Sequence, residues 1–180
     1  PDDLEEDILA DLMEEINELY ESSEQTLIEL ELRPEDNELQ RALFRSIHTI
    51  KGDLGLVNFS PMIPLLQHVE DLLDYLRKGQ VAYTSTMSDL VLLTMDRVKA
   101  FVEAVMASGK AEYDDNLHNQ LVLAIGRVTP ENTAEHEKRL TEAVLLLNPA
   151  LDIVADEDDP QNVQIKPPTL AATGIPKDIS

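Results

Sequence analysis

Leucine and isoleucine recur at three- and four-residue spacing along almost the whole chain, and no stretch keeps up an apolar–polar alternation of period two. The first pattern places apolar side chains on one face of a 3.6-residue helix, whereas a half-buried strand needs the second. From Leu4 to Leu32 the stripe is Ile8, Leu12, Ile16, Leu19, Leu27 and Leu30, and Arg33-Pro34 ends it because a residue before proline disfavours the α region. A second helix is predicted from Glu35 to Val57. Ser60-Pro61 reads as an N-cap and first-turn proline opening a third, which stops at Lys78-Gly79. A fourth runs from Thr84–Thr86 to Ser108-Gly109 and a fifth from Asp114 to Val128. Thr129-Pro130 opens a sixth that reaches Leu147. Short connections make sequential helices antiparallel neighbours, so the expected class is all-α: an antiparallel four-helix-bundle core with additional C-terminal helices.

Beyond Asn148-Pro149 the composition changes. Asp156-Glu157-Asp158-Asp159 precedes Pro160, Pro167, Pro168 and Pro176, and residues 149–180 are expected to form a flexible acidic, proline-containing linker or tail. The chain opens at Pro1 rather than Met and is read as a piece of something longer.

Charge narrows the function. With 36 acidic against 14 basic side chains in 180 residues, the net charge is −22. Phosphate backbones and anionic lipid surfaces both require clustered Lys and Arg, so neither a nucleic acid nor a membrane is an expected partner. No apolar run approaches the roughly 20 residues of a membrane span and no signal-peptide pattern opens the chain, so a cytoplasmic location is expected. The absence of cysteine excludes disulfides, thiolate zinc sites and cysteine nucleophiles. His68, His118 and His136 make no ligand set by spacing, so no metal site is expected. The paired acidic residues of the first helix read as a solvated face.

The second helix carries the chemistry. On a helical wheel Leu39, Leu43, Ile47, Ile50, Leu54 and Val57 fall within about 80° of one another, a core stripe. His48 lies opposite it. Arg41, Phe44, Gly52 and Gly55 share that outer face, with Arg45 and Lys51 flanking it. Each glycine costs a helix roughly 0.5–1 kcal/mol relative to alanine, and here the two clear space beside the imidazole for another protein's backbone. Lys51, three residues on, sets a cation on the same surface. An exposed neutral imidazole so placed suits nucleophilic attack on a phosphoryl group. No glycine-rich phosphate loop accompanies it, so the partner must supply Mg²⁺ and the phosphoryl machinery, and no cofactor of the chain's own is expected.

His48-Thr49-Ile50-Lys51-Gly52-Asp53 resembles the H-x-x-K-G-[S/G/D] signature of histidine phosphotransfer (HPt) domains. The stretch LFRSIHTIKGDLGLVNF, from Leu43 to Phe59, is similar to the N-terminal phosphotransfer domain of CheA-type chemotaxis kinases, and HVEDLLDYLRKGQ, residues 68–80, continues the likeness. The resemblance covers most of residues 4–128. It implies an HPt domain over 1–128, which leaves the sixth helix as an additional element over 129–148 with the tail beyond. It also implies that His48 is phosphorylated, that Lys51 supports the phosphoryl charge, and that Glu70 on the following helix hydrogen-bonds the histidine ring. Gly52 then gives clearance, and Arg41, Phe44, Arg45 and Gly55 join it in a docking patch, with Ile47 nearby. Two positions depart from the pattern: Gln67 stands where the family often has histidine, and Asn58 where it has glycine.

No ATP-binding module is legible. The expected function is therefore a phosphoryl carrier in a two-component phosphorelay, not an enzyme, with a histidine kinase and a response-regulator receiver domain as partners. The competing reading is an acidic helical scaffold that keeps the HPt shape for dimerisation or kinase docking without transferring phosphate.

Overall fold

The computed structural model describes residues 3–57, 59–131, 133–150 and 152–155, the side chains of 3, 4 and 133 excepted. Six helices account for most of them: α1 (Asp3–Leu32), α2 (Asn37–Leu56), α3 (Ile63–Arg77), α4 (Ser85–Ser108), α5 (Asp115–Gly126) and α6 (Thr133–Leu147). Two short strands, β1 (Ala111–Glu112) and β2 (Val154–Ala155), pair antiparallel with Ala111 opposite Ala155. The chain is all-α, as its periodicity predicts.

Local chemistry sets the helix ends. Asp36 caps α2, its Oδ1 accepting the amides of Glu38 at 3.0 Å and Leu39 at 3.2 Å. Asp114 does the same for α5 through the amide of Leu117 at 3.0 Å. Gly109 ends α4 at φ 85°, a left-handed residue that costs glycine nothing. Two starts differ from the sequence reading. Ser60 is not a side-chain cap; residues Ser60–Met62 form a 3₁₀ turn ahead of α3. Pro64 has no N–H to give the Ser60 carbonyl, so the amide of Ile63 bonds there instead and tightens the turn. Helix α6 begins at Thr133 rather than at Thr129-Pro130, and the Thr129 carbonyl instead accepts Nδ1 of His136 at 3.2 Å.

α2 packs against α1 on one side and α3 on the other, and α1 also packs against α4. Contact between α3 and α4 is slight. α5 lies on α3, α6 lies on α4, and the two pack together to complete that side of the bundle. The core is aliphatic: Ile16, Leu30, Leu43, Ile47, Leu54, Leu66, Leu72 and Leu90 are fully buried. Of the predicted α2 stripe, Leu43, Ile47, Ile50 and Leu54 are buried, while Leu39 and Val57 are half-buried at its margin.

The packed body extends past Asn148 into the segment read as linker. Ala150, Ile153 and Ala155 are buried, and a polar clasp holds this segment to the helices. Arg97 of α4, its side chain 2% exposed, donates from Nη1 to Asp152 Oδ1 at 2.6 Å and to the Ala150 carbonyl at 3.2 Å. Its Nη2 donates to His118 Nδ1 at 3.2 Å. Because an arginine only donates, His118 keeps its proton on Nε2, which bonds to the Pro61 carbonyl at 2.7 Å. Asp152 Oδ2 accepts the amide of Asp114 at 2.8 Å. Burial is the first cause that lowers the His118 pKa, with the Arg97 charge adding to it. The remainder of the expected tail, 156–180, lies outside the described residues.

Candidate functional site

α2 turns His48 outward because its core stripe must turn inward, and the His48 side chain is 61% exposed. α3 brings Glu70 up beside it, and the carboxylate, 11% exposed, lies with Oε1 3.1 Å from His48 Nδ1. Lys51 Nζ stands 2.7 Å from the other oxygen, Oε2, as an ion pair, while its hydrogen bond goes to Gln67 Oε1 at 2.9 Å. Gln67 in turn donates through Nε2 to Asp71 Oδ1 at 3.0 Å.

The order of these contacts has a chemical consequence. A carboxylate paired with an ammonium is an acceptor only, so Nδ1 of His48 carries the ring proton. The lone pair is then on Nε2, the nitrogen free of Glu70. As positive charge builds on the ring, the hydrogen bond to Glu70 strengthens, since the acceptor is an anion with little access to water.

One face of the ring is also occupied. Phe44, one turn earlier, lies parallel to His48 with centroids 6.1 Å apart and planes 9° apart. Over Phe44 sits the Arg77 guanidinium, its Cζ 4.2 Å from the centroid, while Nη2 of Arg77 donates to Asp74 at 2.6 Å. Lys78, and after it Arg77, hold the Asp74 carboxyl below its ordinary pKa.

The predicted residues thus divide. His48, Lys51 and Glu70 come together. Arg41, Arg45, Gly52 and Gly55 are exposed on the face of α2 that carries His48. A Cβ built on Gly52 or Gly55 meets nothing within 4 Å, so neither glycine is required by internal packing. Phe44 is only half-buried, but its ring lies against His48 and Arg77 rather than standing free. Ile47, expected near the exposed patch, is fully buried, because the same side chain belongs to the core stripe. His68 points away, its ring 3.0 Å from a Cβ built on Gly126 of α5. The sequence reading missed Gln67 as the partner of Lys51, and Arg77 altogether. Their signal lies in the spacing of Gln67, Glu70, Asp74 and Arg77, which share one face of α3.

A family model for the Hpt domain matches residues 7–106. The chain belongs to the Hpt domain family. This Hpt domain is 33% identical over 145 residues to the sensor histidine kinase CheAY of Helicobacter pylori, covering 79% of this chain and 18% of that protein. To the chemotaxis protein CheA of Salmonella typhimurium it is 32% identical over 130 residues, covering 69% of this chain and 19% of the other. It therefore spans about a fifth of the length of these curated relatives. Among solved structures it is similar to the CheA phosphotransferase domain from Thermotoga maritima, with a TM-score of 0.53 and 33% identity, covering 56% of this chain and 95% of that one. Among the described residues, no group of three or more His, Asp or Glu could hold a metal ion, and no helix is long and apolar enough to cross a membrane.

Proposed function

We propose that this Hpt domain carries a phosphoryl group on His48, accepting it from ATP held by a histidine kinase domain or from the phospho-aspartate of one receiver, and passing it to the aspartate of another. The observation that carries the reading is the Nδ1–Glu70 contact at 3.1 Å on a ring 61% exposed, which leaves Nε2 as an outward nucleophile. The Nε2 lone pair attacks phosphorus and forms the N–P bond. The P–O bond of the donor breaks, and its electron pair leaves on ADP or on the aspartate carboxylate. Positive charge acquired by the ring is met by Glu70 through the Nδ1 proton, and loss of that proton, or transfer onward, restores neutrality. Lys51 is committed to Glu70 and Gln67 in the resting site, so it acts first by holding Glu70 in place, and then by placing a cation near the incoming phosphoryl group.

The chain contributes a nucleophile and its support, while Mg²⁺ and the ATP- or aspartate-bearing machinery belong to the partner. In this sense it is a carrier rather than an enzyme. The receiving face is the exposed side of α2 around His48, with Arg41, Arg45, Gly52 and Gly55, edged by Phe44. A cytoplasmic setting, where ATP and receiver domains meet, completes the proposal. The test is phosphoryl acceptance from an active kinase domain, wild type beside His48→Gln. Acid-labile, base-stable phosphate on wild type alone is expected. Equal labelling of the glutamine variant removes His48 from the role, and no label on either leaves the phosphate-independent scaffold as the better reading.

A further inference from the structure

Away from the His48–Glu70 contact, the N-terminal half of α1, the last turns of α2 and the α4 end enclose a cleft of about 840 Å³. Its floor is apolar, built from Leu9, Leu12, Val57 and Phe59. Leu56 is 87% exposed and Ile8 45% exposed, so two large apolar side chains stand at its lip in contact with water. A cleft of this size lies in the range that takes a ligand or a few side chains of a partner.

The charge around it is one-sided. Asp11, Glu15 and Asp53 line the cleft, and no lysine or arginine does so among the described residues. Asp53 Oδ2 is buried and takes no hydrogen bond from an amide, hydroxyl or ammonium group. Against Asp53 stands the carboxyl of Glu15, whose pKa is raised chiefly by its hydrogen bond with Asp53, then by partial burial and by the charges of Asp53 and Glu18. Two carboxyls from different helices therefore face each other where a cation would serve better. Buried polar groups left in this condition are exceptions that call for a partner.

We propose that this cleft docks a segment of a partner protein that presents two or three aliphatic side chains beside a lysine or arginine. The aliphatic groups cover Leu56, Ile8 and the floor, and the cation sits between the carboxyls of Glu15 and Asp53. The exposed Leu56 favours a protein partner, because an apolar side chain standing out of the surface needs a matching surface rather than a small molecule. The cleft lies on the α1 side of α2, whereas Lys51 and Glu70 lie toward α3, so docking here leaves the imidazole accessible. The assignment does not depend on phosphoryl transfer.

The probe is a short synthetic helical peptide of leucine, lysine and alanine with one apolar face, fluorescently labelled. Beside it is used a scrambled peptide of the same composition, at near-physiological salt, which screens diffuse attraction to an acidic protein. The full chain is expected to bind the patterned peptide and not the scrambled one, and amide shifts should gather at Leu9, Leu12 and Val57. Ile8→Ser with Leu56→Ser should weaken binding about tenfold. Asp53→Asn should weaken it too, and phosphoryl acceptance at His48 should be unchanged in the serine double variant. Affinity should also fall on acidification, as Glu15, its pKa raised by its contact with Asp53, takes up a proton. Undiminished binding by the serine double variant, equal binding of the scrambled peptide, or shifts spread over other acidic faces would each overturn the proposal. So would self-association of the full chain in sedimentation that Leu56→Ser abolishes, which would assign the cleft to a second copy.

Discussion

Replacing Glu70 by glutamine isolates the charge of the carboxylate from its shape. The wild-type contact joins His48 Nδ1 to Oε1 at 3.1 Å, and the acceptor is 11% exposed with the Lys51 ammonium 2.7 Å from its other oxygen. Hydrogen bonds to a charged group are worth about 1.5–3 kcal/mol, against about 0.5–1.5 kcal/mol for neutral ones. The difference, about 1–2 kcal/mol, bears on the step in which the ring acquires positive charge, so phosphorylation should slow by roughly 5- to 30-fold. A second signature is independent of the rate. A glutamine amide can donate as well as accept, so the ring loses its enforced tautomer, and nitrogen NMR should show proton density moving from Nδ1 toward Nε2. The assay is the single-turnover rate with saturating kinase domain, alongside the ring spectrum and circular dichroism. A variant that keeps the helical spectrum, the wild-type rate and the wild-type tautomer would refute the role given to Glu70.

The remaining predictions concern the clasp. Asp152→Ala strands the Arg97 guanidinium, 2% exposed, and should cost about 3–5 kcal/mol, lowering the melting temperature by roughly 6–20 °C. A shift below about 2 °C would show that Asp152 does not hold its segment to the bundle. Acidification should loosen the same place. His118 has a folded pKa below its ordinary 6.5, so the unfolded chain binds the proton first. Its contribution is fully present above pH 6.5 and is lost as pH falls through the folded value. Urea unfolding between pH 7.5 and 5 should show this slope for wild type and a flatter one for His118→Gln. Glu15 and Asp96, both raised, act in the opposite sense nearer their own lower range.

How much of this was legible depended on whether the determinant lay within one helix. The apolar stripe of α2 put His48, Lys51 and the glycines on the outer face from spacing alone. The caps at Asp114 and Gly109 fell where short polar residues and glycine belong. The start of α3 was not legible, because Pro61 looks like a helix opener until Pro64 is seen to deny the Ser60 carbonyl its usual donor. The clasp was hidden for a different reason. Arg97 lies 55 residues from Asp152, and one arginine among apolar neighbours reads as an exposed interruption until its carboxylate partner is found. Two-residue strands such as β1 and β2 are too short for any alternation to register. At the site, Glu70 was reached only through family likeness, since nothing within α2 announces which residue of α3 will face it. Gln67 and Arg77 show the same blindness across a helix pair.

Gly52 and Gly55 have a mechanical consequence. Both are solvent-facing and touch nothing that a methyl group would meet, so they forgo helix stability without serving the core. Each weakens the local backbone by roughly 0.5–1 kcal/mol. Upstream, α2 starts from a double cap at Asp36 and holds Ile47 in the centre of the core. Downstream, Ile50 and Leu54 are buried as well, so the core face of α2 is held on both sides of His48. What the glycines loosen is the outer face alone, which can yield by small amounts as another surface closes down. A side chain mounted there keeps its own alignment while the surface beside it can adapt to the contour of what docks on it.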